Sequence, residues 1–309
     1  MGNRSPYRVE AVRQLVAAHL PGGRVGSVVP VGEGTDHLAY EVDGELIVRW
    51  SKEADVAARA AGVDREARLL AAVATISPLP VPEPSFTVPE RGVLAYRKLP
   101  GLPLLELPRP RWPAHGGSVA ATLGELLTAL HAAPVEDLTA LVDLDDQPPA
   151  DWRREAAQTC ATVAGEVPAA HRRSVAAFLE APPPADDWTP VFSHNDLGIE
   201  HVLVDPGTWA VTGVIDWSDA AIVDPAVDFG LVYRDLGPAA VRAAMGRYRT
   251  EVNDLDTLAE RAVFYARCSV FEDLAYGIRT GRDAYVDKSL AAMAWLFPSS
   301  APGSRPPGA

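Results

Sequence analysis

The sequence contains no run of about 18 apolar residues and no charged-then-apolar leader at its N-terminus, so neither a membrane span nor a secretory signal is expected. Cysteine is scarce. Cys160 and Cys268 are too few for a disulfide framework or a zinc site, and a reduced, cytoplasmic protein is the expectation. Positive charge is also short: 28 Lys and Arg stand against 41 Asp and Glu, a net charge of −13, and no basic block is present that would track a phosphate backbone. That balance argues against nucleic acid as a partner. An acidic surface instead raises the encounter rate of a cationic or amine-bearing small molecule. What the chain has in quantity is apolar side chains, 48% of 309 residues, enough for one large or two modest domains without crosslinks. It would work as a monomer or a dimer, away from any membrane.

The most informative stretch runs from His194 to Asp216. Val- and Ile-rich runs at 201–205 and 209–215 flank the turn signal Pro206-Gly207-Thr208, so the chain doubles back as a hairpin. With Asp205 opposite Trp209, counting along an antiparallel pair brings Asp216 level with Gly198, between Asp196 and His201. Two side chains able to hold a divalent cation and a carboxylate able to take a proton from a hydroxyl form the division of labour of kinase-type phosphoryl transfer. Taken singly, each is equally a turn cap.

The segment from His194 to Gly230 resembles the signature region of the aminoglycoside and macrolide phosphotransferases, antibiotic-resistance kinases related in fold to the protein kinases. Their catalytic loop reads His-x-Asp, four residues, then Asn or His, and their metal loop reads Ile-Asp-Trp/Phe; His194, Asp196 and His201 fill the first pattern and Ile215-Asp216-Trp217 the second. The resemblance implies Asp196 as the catalytic residue, His201 and Asp216 as Mg²⁺ ligands, His194 as an anchor of the loop and Asp228 as the carboxylate that braces its backbone. His201 stands where protein kinases have Asn, and His is an unusual ligand for a hard ion.

The rest of the chain is read outward from that segment. Apolar spacing predicts a helix over 9–20, strands over 25–31, 38–42 and 45–50 with a hairpin turn at Asp43-Gly44, and a helix reaching residue 73. By the resemblance, Arg49 is the strand cation that grips the nucleotide phosphates, paired with Glu66 on the following helix; otherwise Arg49 is a charge on an edge strand. Gly34 and Thr35 occupy the position of a nucleotide-covering loop, although Gly-x-Gly suits an ordinary hairpin equally well. Residues 94–101 are similar to the family's hinge, whose backbone around Tyr96 and Lys98 would meet the purine.

Beyond the hinge the character turns helical, with His131 read as a helix-end residue and Asp224-Pro225 as a helix start with Pro at the first helical position. A helix over 258–278 is expected to bury Val263, Val270, Phe271, Leu274 and Ile278. Acidic groups there would hold substrate amines by the resemblance, which nominates Asp235, Glu272 and Asp273; the plain alternative for each is a solvated charged face.

The expected fold is α+β and protein-kinase-like, with a small antiparallel-sheet N-terminal lobe (1–97), a larger, mostly helical C-terminal lobe (98–297) and a disordered tail (298–309). The implied reaction moves the γ-phosphoryl of ATP or GTP, with Mg²⁺, to a hydroxyl of an aminoglycoside or macrolide. A kinase of choline, homoserine or a sugar amine keeps the same fold, and a catalytically silent nucleotide-binding protein or a non-enzymatic interaction protein are the other readings.

Overall fold

Short runs of branched and aromatic residues broken by Asp-Gly build a sheet within the first third of the chain. The computed structural model describes residues 6–20, 23–34, 36–250 and 254–299. Thr35 and residues 300–309 of the expected tail lie outside them. The chain divides into two compact units, Met1–Gly101 with Thr212–Ser218, and Leu102–Val211 with Asp219–Ala309. The first unit thus extends past residue 97 and claims a second stretch. Hydrogen bonds account for this: Thr212 Oγ1 donates to Pro100 O at 2.6 Å and Val214 N to Pro80 O at 3.0 Å.

The first unit opens with α1 (Pro6–His19) and continues through β1 (Val28–Glu33), β2 (His37–Val42), β3 (Leu46–Ser51), α2 (Val56–Ile76), β4 (Pro84–Val88) and β5 (Val93–Arg97). The strands form one antiparallel sheet in the order β1-β2-β3-β5-β4. Asp43 and Gly44 both take positive φ, 52° and 75°, the conformation a two-residue hairpin turn needs. Val12, Leu15 and Val16 of α1 pack on Tyr40, Val42, Leu46, Val48, Val93 and Ala95 to make the core. Asp55 caps α2 by accepting Ala58 N at 2.8 Å.

The second unit contains β6 (Leu102–Pro103), α3 (Trp112–His131), α4 (Pro149–Thr162), α5 (Arg172–Glu180), β7 (Val191–Ser193) and β8 (Val202–Val204). After β9 (Val211–Val214) and β10 (Ala221–Val223) come α6 (Ala226–Arg247), α7 (Leu255–Thr280) and α8 (Asp283–Leu296). The hairpin turn closes as its sequence predicts, Trp209 N donating to Asp205 O at 2.8 Å while the Asp205 side chain collects the Gly207 and Thr208 amides.

Helix α6 is the hub, packed by α3, α7 and α8. Glycine permits the approach: a Cβ at Gly230 would lie 3.0 Å from Ala262 O, and one at Gly124 would collide with the Ala244 carbonyl. The helix breaks once, at Gly237 (φ 81°) before Pro238, which has no N–H to continue the ladder. Pro225 is the cap rather than the first helical residue, and Asp224 accepts Ala226 N while pairing with Arg261 at 2.7 Å. Ile278 also departs from expectation. It is 45% exposed, because it falls in the last turn of α7 just before the Gly281 cap. Among the described residues no helix is long and apolar enough to cross a membrane.

Candidate active site

A loop with little regular structure of its own joins β7 to β8, and its backbone must be held from outside. Asn195 takes a left-handed φ of 64°, a conformation that costs most L-residues about 1 kcal/mol or more and that Asn and Asp tolerate best. Asp228, wholly buried on α6, receives the loop: its carboxylate accepts Asn195 N at 3.1 Å, Leu197 N at 3.2 Å and the Ser193 hydroxyl at 2.5 Å. His194 is equally buried, and its Nδ1 accepts the Asp196 amide at 3.3 Å.

His201 closes the loop onto Asp196. Its Nδ1 lies 2.8 Å from the Asp196 carbonyl oxygen and 3.4 Å from Oδ2 of the same residue. A carbonyl only accepts, so Nδ1 carries the proton and the lone pair is on Nε2, the nitrogen that would face a cation. Desolvation raises the Asp196 carboxyl to about 7, with Glu200 and Asp219 adding to the rise and His201 and Arg234 opposing it. The side chain keeps 39% of its surface open, so water screens this effect; a carboxyl held above its ordinary range is what bears on proton transfer.

Behind the loop runs a buried hydrogen-bond chain that sequence reasoning missed. Ser193 has one hydroxyl proton and gives it to Asp228, so the contact of Ser193 Oγ with His131 Nε2 at 3.0 Å is donated by the imidazole. His131 Nδ1 then accepts from Tyr248 OH at 2.9 Å. Burial lowers the His131 pKa to about 3, consistent with a neutral ring that donates at one nitrogen and accepts at the other. His131 does end α3, but it also braces the loop.

In the first unit the guanidinium of Arg49, 11% exposed, gathers four groups. Nη1 pairs with Glu66 Oε1 at 2.5 Å; Nη2 lies 3.3 Å from Asp216 Oδ1, 3.2 Å from Ser218 Oγ and 3.2 Å from His37 Nδ1. Asp216, like Asn195, is left-handed, with φ 63°. Ser218 Oγ donates to Asp216 Oδ1 at 2.7 Å and fixes the carboxylate. Strain at non-glycine residues concentrates at sites where geometry matters more than stability.

Other nominated residues sit as follows. Gly34 N donates to His37 O at 3.0 Å, closing the β1–β2 turn and engaging the amide that was to meet phosphate. Lys98 N donates to Glu45 O at 2.8 Å and its ammonium pairs with Glu41. Tyr96 is buried in β5, its hydroxyl pushed up to about 12 by desolvation. Glu272 is exposed on α7, whereas Asp235 and Asp273 are buried in an ionic cluster with Arg234 and Lys288. The plain alternative of a solvated face fails for Asp235 and Asp273. Asp196 and His201 belong to one unit and Arg49, Glu66 and Asp216 to the other. Among the described residues no three His, Cys, Asp or Glu side chains gather as a metal site.

Residues 27–262 match the family described as the phosphotransferase enzyme family. The chain belongs to this family. Over 216 residues this phosphotransferase is 32% identical to an aminoglycoside 3'-phosphotransferase of Streptomyces fradiae, covering 59% of the chain and 70% of its relative. The macrolide 2'-phosphotransferase of Brachybacterium faecium, solved as the apoenzyme, is 26% identical with a TM-score of 0.62, over 96% of this chain and 99% of that one. A GDP complex of wild-type aminoglycoside 2'-phosphotransferase-IIIa gives a TM-score of 0.68 at 22% identity, over 93% and 98% of the two chains, a likeness of fold. The resemblance drawn from residues 194–230 is therefore borne out, and so is the α+β, kinase-like fold.

Proposed function

We propose that this phosphotransferase moves the γ-phosphoryl group of ATP or GTP to a hydroxyl of an aminoglycoside antibiotic. The loop around Asp196 carries the reading: the Asp196 carboxylate lies 3.4 Å from His201 Nδ1, its amide is received by His194, and the loop backbone is held by Asp228. In the step, the acceptor oxygen bonds to the γ-phosphorus, the bond from phosphorus to the bridging β–γ oxygen breaks, and Asp196 takes the hydroxyl proton. Arg49, steadied by Glu66, binds phosphate oxygens with a planar fork. The protein's task is positioning and charge neutralisation.

Asp216 is a hard oxygen donor oriented by Ser218 and fits Mg²⁺, while His201 offers a nitrogen, a less usual donor for that ion. A bound Mg²⁺ would neutralise phosphate charge. The GDP complex of a structural relative supports a nucleoside triphosphate donor, and a cytoplasmic reaction is consistent with that donor. The net charge of −13 and the Streptomyces fradiae relative favour an aminoglycoside. The macrolide enzyme at 26% identity favours a second reading, a macrolide acceptor.

The test is Mg²⁺-dependent release of ADP and GDP with a panel of aminoglycosides, macrolides and small metabolic alcohols, with Asp196→Ala as control. Release stimulated by aminoglycosides and lost in the variant supports the proposal. Stimulation by a macrolide alone selects the second reading. Stimulation by a metabolic alcohol alone would discard both.

A further inference from the structure

Five charged side chains from four segments of the second unit meet behind the catalytic loop, and the reaction outlined above uses none of them. Lys288 on α8, 2% exposed, places its ammonium 2.7 Å from Glu200 Oε2, 2.8 Å from Asp273 Oδ2 and 3.3 Å from Asp235 Oδ2, over the ring of Tyr285 at 5.0 Å. Arg234 completes the cluster through Asp235 at 2.7 Å, Asp273 at 3.5 Å and Glu200 at 3.9 Å. A buried ion network gains little net stability, because desolvation offsets the attraction, and its best-attested use is to select one arrangement over others. Here the arrangement selected is that of the loop. Asp235 Oδ2, which Lys288 holds, accepts Ile199 N at 3.1 Å. Glu200, which Lys288 also holds, adjoins His201 and folds its carboxylate beneath Gly198, where a Cβ would stand 2.7 Å from Glu200 Oε1.

Asp228 and Asp235 lie seven residues apart, two turns along one face of α6, so the helix grips the loop at Asn195 and Leu197 with the first and at Ile199 with the second.

We propose that Lys288 is a positioning residue for the catalytic loop, fixing the segment between Asp196 and His201 through Asp235 on the Ile199 amide and through Glu200. The proposal rests on reading residues 194–201 as the catalytic loop. Lys288 touches no reacting atom; it sets the separation and aim of the two residues that do.

The test uses the full chain with Lys288→Met combined with Asp273→Asn. The native cluster has two cations and three anions and the variant one and two, so its net charge is kept while the Lys288 anchor is lost. Amide hydrogen exchange is read by NMR at Ile199 and at Leu197, whose partner Asp228 lies outside the cluster. Ile199 is expected to exchange about ten-fold faster while Leu197 changes by less than about two-fold. In parallel, hydrolysis of Mg-GTP with water as acceptor is expected to fall about ten-fold in kcat with KM for GTP within about two-fold.

Unchanged protection at Ile199, equal acceleration at both amides, or selective acceleration with unaltered kcat would overturn the proposal. Should the double variant fail to fold, Glu200→Gln carries the test: His201 N, which donates to Gly198 O at 3.0 Å, is expected to exchange about ten-fold faster with Leu197 unmoved, and equal rates in variant and parent would overturn it. The exchange readout needs no acceptor. A wild-type protein with no turnover would overturn the reading of the loop as catalytic, while Ile199 still reports on Lys288.

Discussion

Asp196 and His131 illustrate how differently two polar residues can serve one loop. Asp196→Ala is expected to lower kcat by about a thousand-fold while leaving the Kd for Mg-nucleotide within about three-fold, as fits a group that acts on the acceptor proton. Steady-state kinetics beside calorimetric nucleotide titration would check it, and a near-normal kcat would remove Asp196 from its role. His131 acts through protonation linkage. Its pKa is depressed to about 3 in the folded state from an ordinary 6.5, so the unfolded chain binds the proton first. The stability it contributes is complete above pH 6.5 and is lost as pH falls from there toward 3. His131→Gln is expected to unfold more easily at pH 7 yet to lose less stability per pH unit between pH 6 and pH 4, by at most about 1.4 kcal/mol per unit. Denaturant melts at three pH values would measure the slope, and parallel slopes would refute the assignment.

At the scale of elements, helix packing depends on close backbone approach. Gly124 on α3 faces the Ala244 carbonyl of α6 with no room for a methyl group. Gly124→Ala is expected to cost about 1–3 kcal/mol, seen as a lower Tm, whereas Gly117→Ala on the same helix, with open space around its Cα, should not. The first hairpin and two of the longest helices were legible because they follow from local pattern: Asp43-Gly44 turned where expected, and α2 and α7 carry the stripes that announce them. The two segments proposed as catalytic and metal loops, 194–201 and 215–217, stood out because their residues are close in sequence. The braces were not. His131 meets Ser193 from 62 residues away and Lys288 meets Glu200 from 88 residues away, and no local periodicity encodes such a meeting. A charge on a helix reads as solvated until tertiary packing covers it, which is why Asp235 and Asp273 looked like surface groups.

For the whole molecule, a ligand that binds only the folded chain must stabilise all of it that unfolds cooperatively. Mg-GTP or Mg-ATP at about a hundred times its Kd is expected to add about 2.7 kcal/mol, a rise in Tm of several degrees, and Arg49→Met should abolish most of that rise by removing the guanidinium that Glu66 and Asp216 hold. A thermal melt with and without nucleotide decides it. An undiminished shift in Arg49→Met would place the phosphate grip elsewhere.

The first unit takes Thr212–Ser218 from far down the chain, and those residues supply the carboxylate of Asp216 and the bonds to Pro80 and Pro100. During synthesis on the ribosome, therefore, the N-terminal 101 residues emerge early but cannot finish folding until translation has passed residue 218 and that stretch has left the exit tunnel. A gene split after codon 101 would encode a fragment whose Arg49 has lost one of its two carboxylates, and only the complementary fragment could restore it.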